Sequence, residues 1–336
     1  MKKLALFAGM AVLLFSACQE TQPDAVTAAD PKPAVDVAGL QLNVEANPEW
    51  TYENLRLYPI EASEATLAAN AALAALKTLD EGMQTKGFRV TEKKQFGRER
   101  DNWYNGLTVQ NKSQDTVFLM SGDVVTGGNQ DRVIAHDDVI LPRSVKNIEV
   151  FCVEHGRSSY YDPAASPNEK QVGAFRGYYN VASPRVRQAV HAGNQQGVWD
   201  AVEKVTSDND ASSSTSAYAA LETANEQKAR REAYLQFFDG KFSDRPNVVG
   251  MVAVCNGKVV GVDIFGHPGL FHKKYKALLH GYAADAAHAG KSEASANPNV
   301  REAFRQVARL SGPNATGNTS AGRFGLGEQW LHLYQK

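Results

Sequence analysis

Three cysteines in 336 residues are too few for a disulfide-built scaffold, and no Cys-x-x-Cys spacing occurs among them. His-Glu-x-x-His is missing too, so the eight histidines, His267, His272, His280 and His288 among them, do not spell a zinc site, which needs three or four convergent ligands. Neither a Gly-x-Ser-x-Gly elbow nor the lysine-bearing glycine loop of a P-loop is present, which removes the legible signatures of those hydrolases and nucleotide enzymes. Charge of one sign is scarce as well: 36 Lys and Arg face 37 Asp and Glu, a formal net charge of −1. The basic clusters Arg98-Glu99-Arg100 and Lys228-Ala229-Arg230-Arg231-Glu232 are interrupted or flanked by acids, so they read as solvated faces, and nucleic acid is not an expected partner. Long apolar runs are also lacking. The run at residues 4–15 falls short of the roughly 20 residues that cross a bilayer, and no later run approaches that length.

That short run is nevertheless informative. Lys2 and Lys3 precede it, and Ser16-Ala17 follow it immediately before Cys18, the layout of an export signal with small residues at its cleavage point. The arrangement resembles the lipobox of bacterial lipoproteins, in which the cysteine thiol receives a diacylglycerol, the chain is cut before it, and the new amine is acylated. The resemblance implies a signal peptide at residues 1–17, lipidation of Cys18, and a membrane partner engaged through lipid on the periplasmic or cell-surface side of the envelope. A plain cleaved signal peptide is the alternative. Residues 18–48, rich in Pro, Ala, Asp, Gln and Thr without helical or strand periodicity, read as the lipid-bearing cysteine and a flexible tether. Cys152 and Cys255 would then sit in an oxidising compartment, either paired or as buried free thiols.

The remainder, residues 49–336, is long enough to bury a sizeable core. Residues 53–61 alternate as an edge strand limited by Pro59. Ser63 then opens a helix with apolar residues at helical spacing up to Gly82. From 87 to 157 short strands alternate with turns, including a hairpin candidate at 111–115. Beyond them come helical stretches at 194–205, 217–238, 270–284 and 300–310, an Asn256-Gly257 hairpin, and a closing strand at 330–334. The sum is an α+β chain: an antiparallel β-sheet or sandwich-like core with helices packed on one side.

The most distinctive block contains Gly122-Asp123, Gly127-Gly128-Asn129-Gln130-Asp131-Arg132 and Cys152-Val153-Glu154-His155-Gly156-Arg157. Its Gly-Asp turn, Gly-Gly-x-Gln-x-Arg segment and Cys-Val-Glu-x-Gly-Arg strand end resemble the ARPP-1 family, also called DUF6569, which is named for association with ADP-ribosylglycohydrolase and rhodanese-phosphatase proteins. Gln196-Gly197-Val198-Trp199, the hairpin at 257–265 and the glycines of 320–328 fit the same family, so the resemblance runs over about residues 50–336. It implies a role near NAD or ADP-ribose metabolism and assigns no cofactor.

Two uses for this block follow. Asp123, Asp131 and Glu154 are the acid/base candidates, while Gln130, Arg132, His155 and Arg157 are candidates for holding an anionic ligand. Alternatively these groups satisfy turns and buried backbone. Gly127-Gly128 offers either a backbone approach to phosphate or a turn. Asp263, in the apolar strand Val-Val-Gly-Val-Asp-Ile-Phe, is a further candidate and must find a partner if buried. The chain is therefore expected to be a lipid-anchored module of the cell envelope that binds a small anionic ligand or an envelope protein. The alternative is an enzyme acting on an ADP-ribose- or NAD-derived molecule or another anionic compound. Arg132→Ala separates ligand contact, which leaves the fold intact, from a structural strut, which does not.

Overall fold

Alternating apolar residues build the larger of two β-structures. A computed structural model describes residues 34–45, 47–93, 105–157, 174–223, 225–289 and 299–336; the signal peptide, Cys18 and the Arg98–Arg100 cluster lie outside them. Strands β1 (Val35–Val37), β2 (Leu40–Leu42), β4 (Leu55–Ala62), β14 (Val248–Cys255), β15 (Lys258–Phe265), β17 (Gln329–Gln335) and β16 (Ala321–Leu326) lie in that order, all antiparallel, with β3 (Thr51–Tyr52) as an eighth strand against β4. The period of two divides the strands between two cores. Leu55, Leu57, Met251 and Ala253 face helices α5 (Glu226–Phe238) and α6 (Pro268–Ala289). Ile60, Val249, Val252 and Ile264 face the opposite way, under Val300, Phe304 and Val307 of the short helix α7 (Val300–Ala308). The β14–β15 turn has Asn256 at φ 50° and Gly257 at φ 70°, the left-handed pair that a type I′ turn requires.

The second β-structure is a closed barrel of six antiparallel strands: β10 (Arg132–Ile134), β12 (Ser144–Cys152), β7 (Gly106–Asn111), β6 (Phe88–Glu92), β13 (Ala174–Val181) and β9 (Asp123–Gly127), returning to β10. Closure leaves none of its strands with an open edge. Val90, Leu107, Val109, Val125, Ile134 and Val150 fill it. On its outside, Val124, Val133 and Phe151 pack beneath α3 (Pro184–His191) and α4 (Gln195–Asp208). A small sheet of β11 (Asp138–Ile140), β8 (Val117–Leu119) and β5 (Lys77–Thr78) accompanies the barrel, and α6 packs on both β13 and β14. The chain is thus α+β with an antiparallel core, and helices α5 and α6 share one face of the large sheet.

Several local expectations are revised. The folded part starts at β1 rather than near Trp50, because Val35, Leu40 and Leu42 are apolar at alternating positions and bury against β4, so the tether does not extend to residue 48. With β2 and β14 on either side, β4 is internal; Pro59 is tolerated where its outer neighbour is interrupted, after β2 ends at Leu42 and before β3 begins. Ser63 does cap a helix, accepting from the Thr66 N–H, but α1 (Glu64–Ala69) stops at the buried Asn70, a 3₁₀ turn (Ala71–Ala75) follows, and Gly82 belongs to a separate short helix, α2 (Leu79–Met83). Residues 111–115 form no hairpin. The buried Asn111 amide donates to the carbonyls of Asp115, Ile140 and Leu141, turning the chain out of the barrel into β8. Cys152 and Cys255 are both free and buried.

Asp263 finds the partner that its burial demands. The Arg187 guanidinium of α3 grips it through two hydrogen bonds of 2.6 and 3.0 Å, the Tyr282 hydroxyl of α6 donates at 2.6 Å, and His332 Nε2 of β17 lies 3.3 Å away. His332 Nδ1 is 2.7 Å from Asp137, which also accepts from the Ser121 N–H. Gly122, at φ 95°, makes room for this: a Cβ there would stand 2.9 Å from Arg187 Cγ. Burial pushes up the Asp263 carboxyl, but Arg187 and His332 outweigh it and hold the group well below its ordinary value. Burial likewise lowers His332, yet Asp137 and Asp263 outweigh it and raise the imidazole.

Asp263→Asn, which leaves Arg187 buried without its counter-ion, should lower unfolding free energy by about 3–5 kcal/mol in urea titration; a loss under about 1 kcal/mol would contradict this account. Because His332 is raised in the folded state, its stabilisation is full below the ordinary histidine value of 6.5 and is lost as pH rises through the raised value. The stability gap between wild type and His332→Asn should accordingly narrow above pH 6.5, and a gap constant from pH 5 to 9 would rule out the imidazolium.

Candidate functional site

The residues singled out from the sequence fall into three separate groups. Asp131, Glu154 and Arg157 meet at one rim of the barrel, with Arg132 and Gln130 beside them. Arg157 Nε donates to both Glu154 oxygens at 2.9 Å, its Nη2 reaches Asp131 Oδ1 at 3.1 Å, and its Nη1 donates to the Gly128 carbonyl at 2.8 Å. Asp131 Oδ1 also accepts from the Gly127 N–H, and Glu154 accepts from the Asp131 N–H. Arg132, 2% exposed, lies 3.4 Å from Glu92, 3.2 Å from Gln130 Oε1, and against the Cys152 sulfur. Gly127-Gly128 is a turn packed on β13: a Cβ on Gly128 would stand 2.4 Å from the Phe175 ring.

Asp123 lies in a different place, at the junction of barrel and α6, where it accepts from Lys274, Tyr178 and the Met120 N–H. Lys274 is 1% exposed and Asp123 fully buried. Asp263 belongs to the network described above. The three acid/base candidates are therefore not brought together, and each has intramolecular partners.

Burial raises Asp131 above the ordinary aspartate value, whereas at Glu154 the opposing hydrogen bonds from Arg157, Thr215 and the Asp131 backbone outweigh burial and lower it. Burial pushes the Cys152 thiol up and that of Cys255 to about 12, so neither is the thiolate that nucleophilic chemistry needs. Among the described residues no three His, Cys, Asp or Glu side chains gather as a metal-holding group, and no helix is long and apolar enough to cross a membrane.

His155 is the motif residue that faces outward. Glu154 forms a bridge with Ala217, the Gly156 N–H donates to the Thr215 carbonyl at 2.8 Å, and the Tyr218 N–H donates to the Val153 carbonyl at 2.8 Å. The strand end thus clamps residues 215–218. Gln195, the first residue of α4, is fastened to the Cys152 backbone by two reciprocal amide hydrogen bonds of 2.9 Å. Between α4 and the clamped segment opens a pocket of about 500 Å³, with His155, Trp199, Asp200, Glu203, Thr206 and Ser216 in its lining. The His155 and Trp199 rings meet edge to face, 4.4 Å between centroids. No Lys or Arg is among the described residues that line this pocket.

Sequence reasoning missed Glu92, Arg187, Lys274, Asp137 and His332 as partners of the acids and bases it named. A signal existed in one case: His332 interrupts the apolar stretch Trp-Leu-His-Leu-Tyr.

With Arg132 so deeply buried, Arg132→Ala should act on the fold, costing about 3–5 kcal/mol in denaturant titration by stranding Glu92; an unchanged unfolding midpoint would return Arg132 to the list of ligand contacts.

A family model described as the ARG and Rhodanese-Phosphatase-superfamily-associated Protein domain, ARPP-1, matches residues 43–332. No curated protein and no solved structure matches the chain. The match spans the large sheet from β4 into β17, the whole barrel and the pocket, and the chain belongs to the ARPP-1 family.

Proposed function

We propose that this protein is an exported, lipid-anchored accessory module of the cell envelope that binds a ligand or partner through the pocket beside His155 and Trp199. One observation carries the binding reading: the charged motif residues are committed to one another, while the clamp they form holds open a concave site at its side. A ligand-binding cleft needs a preformed wall more than it needs reactive groups, and this motif supplies a wall. The anchor rests on Ser16-Ala17-Cys18 and the apolar run before it.

The enzyme reading draws on the Asp131 and Glu154 pair, whose environments push the two carboxyls in opposite directions, as an acid and a base require. An ADP-ribose- or NAD-derived substrate would need cationic contacts, and Arg132 and Arg157 already serve Glu92, Glu154 and Asp131. Binding is the better supported function.

Thermal-shift screening of the Cys18→Ser protein against sugars, amines, nucleotides, NAD and ADP-ribose should yield a stabilising ligand whose effect disappears in Trp199→Ala, since a ligand at 100 times its Kd adds about 2.7 kcal/mol to the native state. Stabilisation that survives Trp199→Ala and vanishes in Asp131→Asn would favour the enzyme. In a bacterial host, a labelled fatty acid should be incorporated into wild type and not into Cys18→Ser; equal labelling would refute the anchor.

A further inference from the structure

The chemistry of the pocket lining narrows what it can hold. Asp200 and Glu203 present carboxylates, which accept hydrogen bonds and cannot donate them at neutral pH. An anionic ligand, whether nucleotide or sugar phosphate, would face these two charges with no Lys or Arg among the described lining residues to answer its own. A simple ammonium ion fits poorly for another reason. Asp200 and Glu203 are both exposed, where an ion pair gains little.

Hydroxyl and amide groups make up much of the remaining polar lining. Gln196, Thr206, Ser207, Ser212 and Ser216 each offer acceptors, and the Gln196 amide and the serine hydroxyls offer donors, the Thr206 hydroxyl donating to its own helix. A partner for such a surface must carry donors and acceptors in alternation, at high density and without net charge. It must also carry an apolar C–H face, because Trp199, Val202, Ala211 and Ala220 form the rest of the wall. The edge-to-face contact with His155 fixes the indole orientation before any ligand arrives.

From this lining we infer that the pocket binds a neutral saccharide, whose hydroxyls donate to Asp200 and Glu203 while its C–H face lies on Trp199. A volume of about 500 Å³ suits one or a few sugar rings and leaves the chain to continue into solvent. The inference rests on the binding-module reading, and its test separates the two.

Intrinsic tryptophan fluorescence and saturation-transfer NMR would be recorded on the Cys18→Ser protein titrated with maltotriose, the N-acetylglucosamine trimer, cellotriose and galactotriose, with ADP-ribose and putrescine as charged comparators. At least one neutral trisaccharide should bind saturably. Trp199→Ala should weaken it by roughly tenfold or more, and Glu203→Gln by roughly threefold, the smaller loss expected for a hydrogen bond to an exposed carboxylate. Glu203 is exposed, so Glu203→Gln keeps the test open even if Trp199→Ala unfolds. Binding of ADP-ribose or putrescine alone, with loss in Glu203→Gln or Trp199→Ala, overturns the saccharide and leaves the binding module standing. Silence from every compound overturns both. Saccharide binding unaffected by either substitution removes it from this pocket.

Discussion

The buried ion network of Arg187, Asp263, His332 and Asp137 is the constraint on which the layering of this fold depends. Its members come from α3, the internal strand β15, strand β17 and the turn before β11, with Tyr282 of α6 completing the shell. Two carboxylates and one guanidinium would leave an uncompensated negative charge in the interior. The imidazole between the carboxylates is therefore raised, and the charges balance when it is protonated. Because hydrogen bonds are directional and apolar contacts are not, this network sets how sheet, barrel and helices meet, and the apolar core fills the space so defined.

The same solution recurs twice. Lys274 of α6 is buried on Asp123 of β9 and Tyr178 of β13, joining the long helix to the barrel. At the rim, Arg157 pairs with Glu154 and Asp131, and Arg132 with Glu92. The charge of this motif is thus turned inward, and its outward product is shape: a clamped wall at residues 215–218 and a helix start fastened at Gln195, with the pocket between them. A motif rich in acids and bases need not be a reaction centre. Here its chemistry supports a surface whose own chemistry is hydroxyl, aromatic and acidic.

How much of this was legible depended on how local each determinant is. Ser63 as a helix cap, Asn256-Gly257 as a hairpin, and the strand-rich character of 87–157 were readable because each rests on a few adjacent residues. The hairpin at 111–115 was not, since whether two neighbouring strands pair depends on where the Asn111 amide finds carbonyls, and two of those three lie about thirty residues on. β1 and β2 escaped notice because three-residue strands carry too little periodicity to stand out from a Pro- and Ala-rich segment. Among the site candidates, the grouping of Asp131, Glu154, Arg132 and Arg157 followed from their placement at strand ends, whereas the separation of Asp123 did not.

The sequence by itself determined the α+β class, the family through its glycine-punctuated motif, and the requirement that Asp263 be partnered, because composition, short-range spacing and the cost of burying a lone charge are properties of the chain. Only the tertiary structure decided which groups meet. Arg187 reaches Asp263 across 76 residues and Lys274 reaches Asp123 across 151, and no local pattern encodes such pairings. It likewise decided that six short strands close into a barrel, and that His155 alone of its motif turns toward Trp199, since both depend on register and packing between segments distant in the chain.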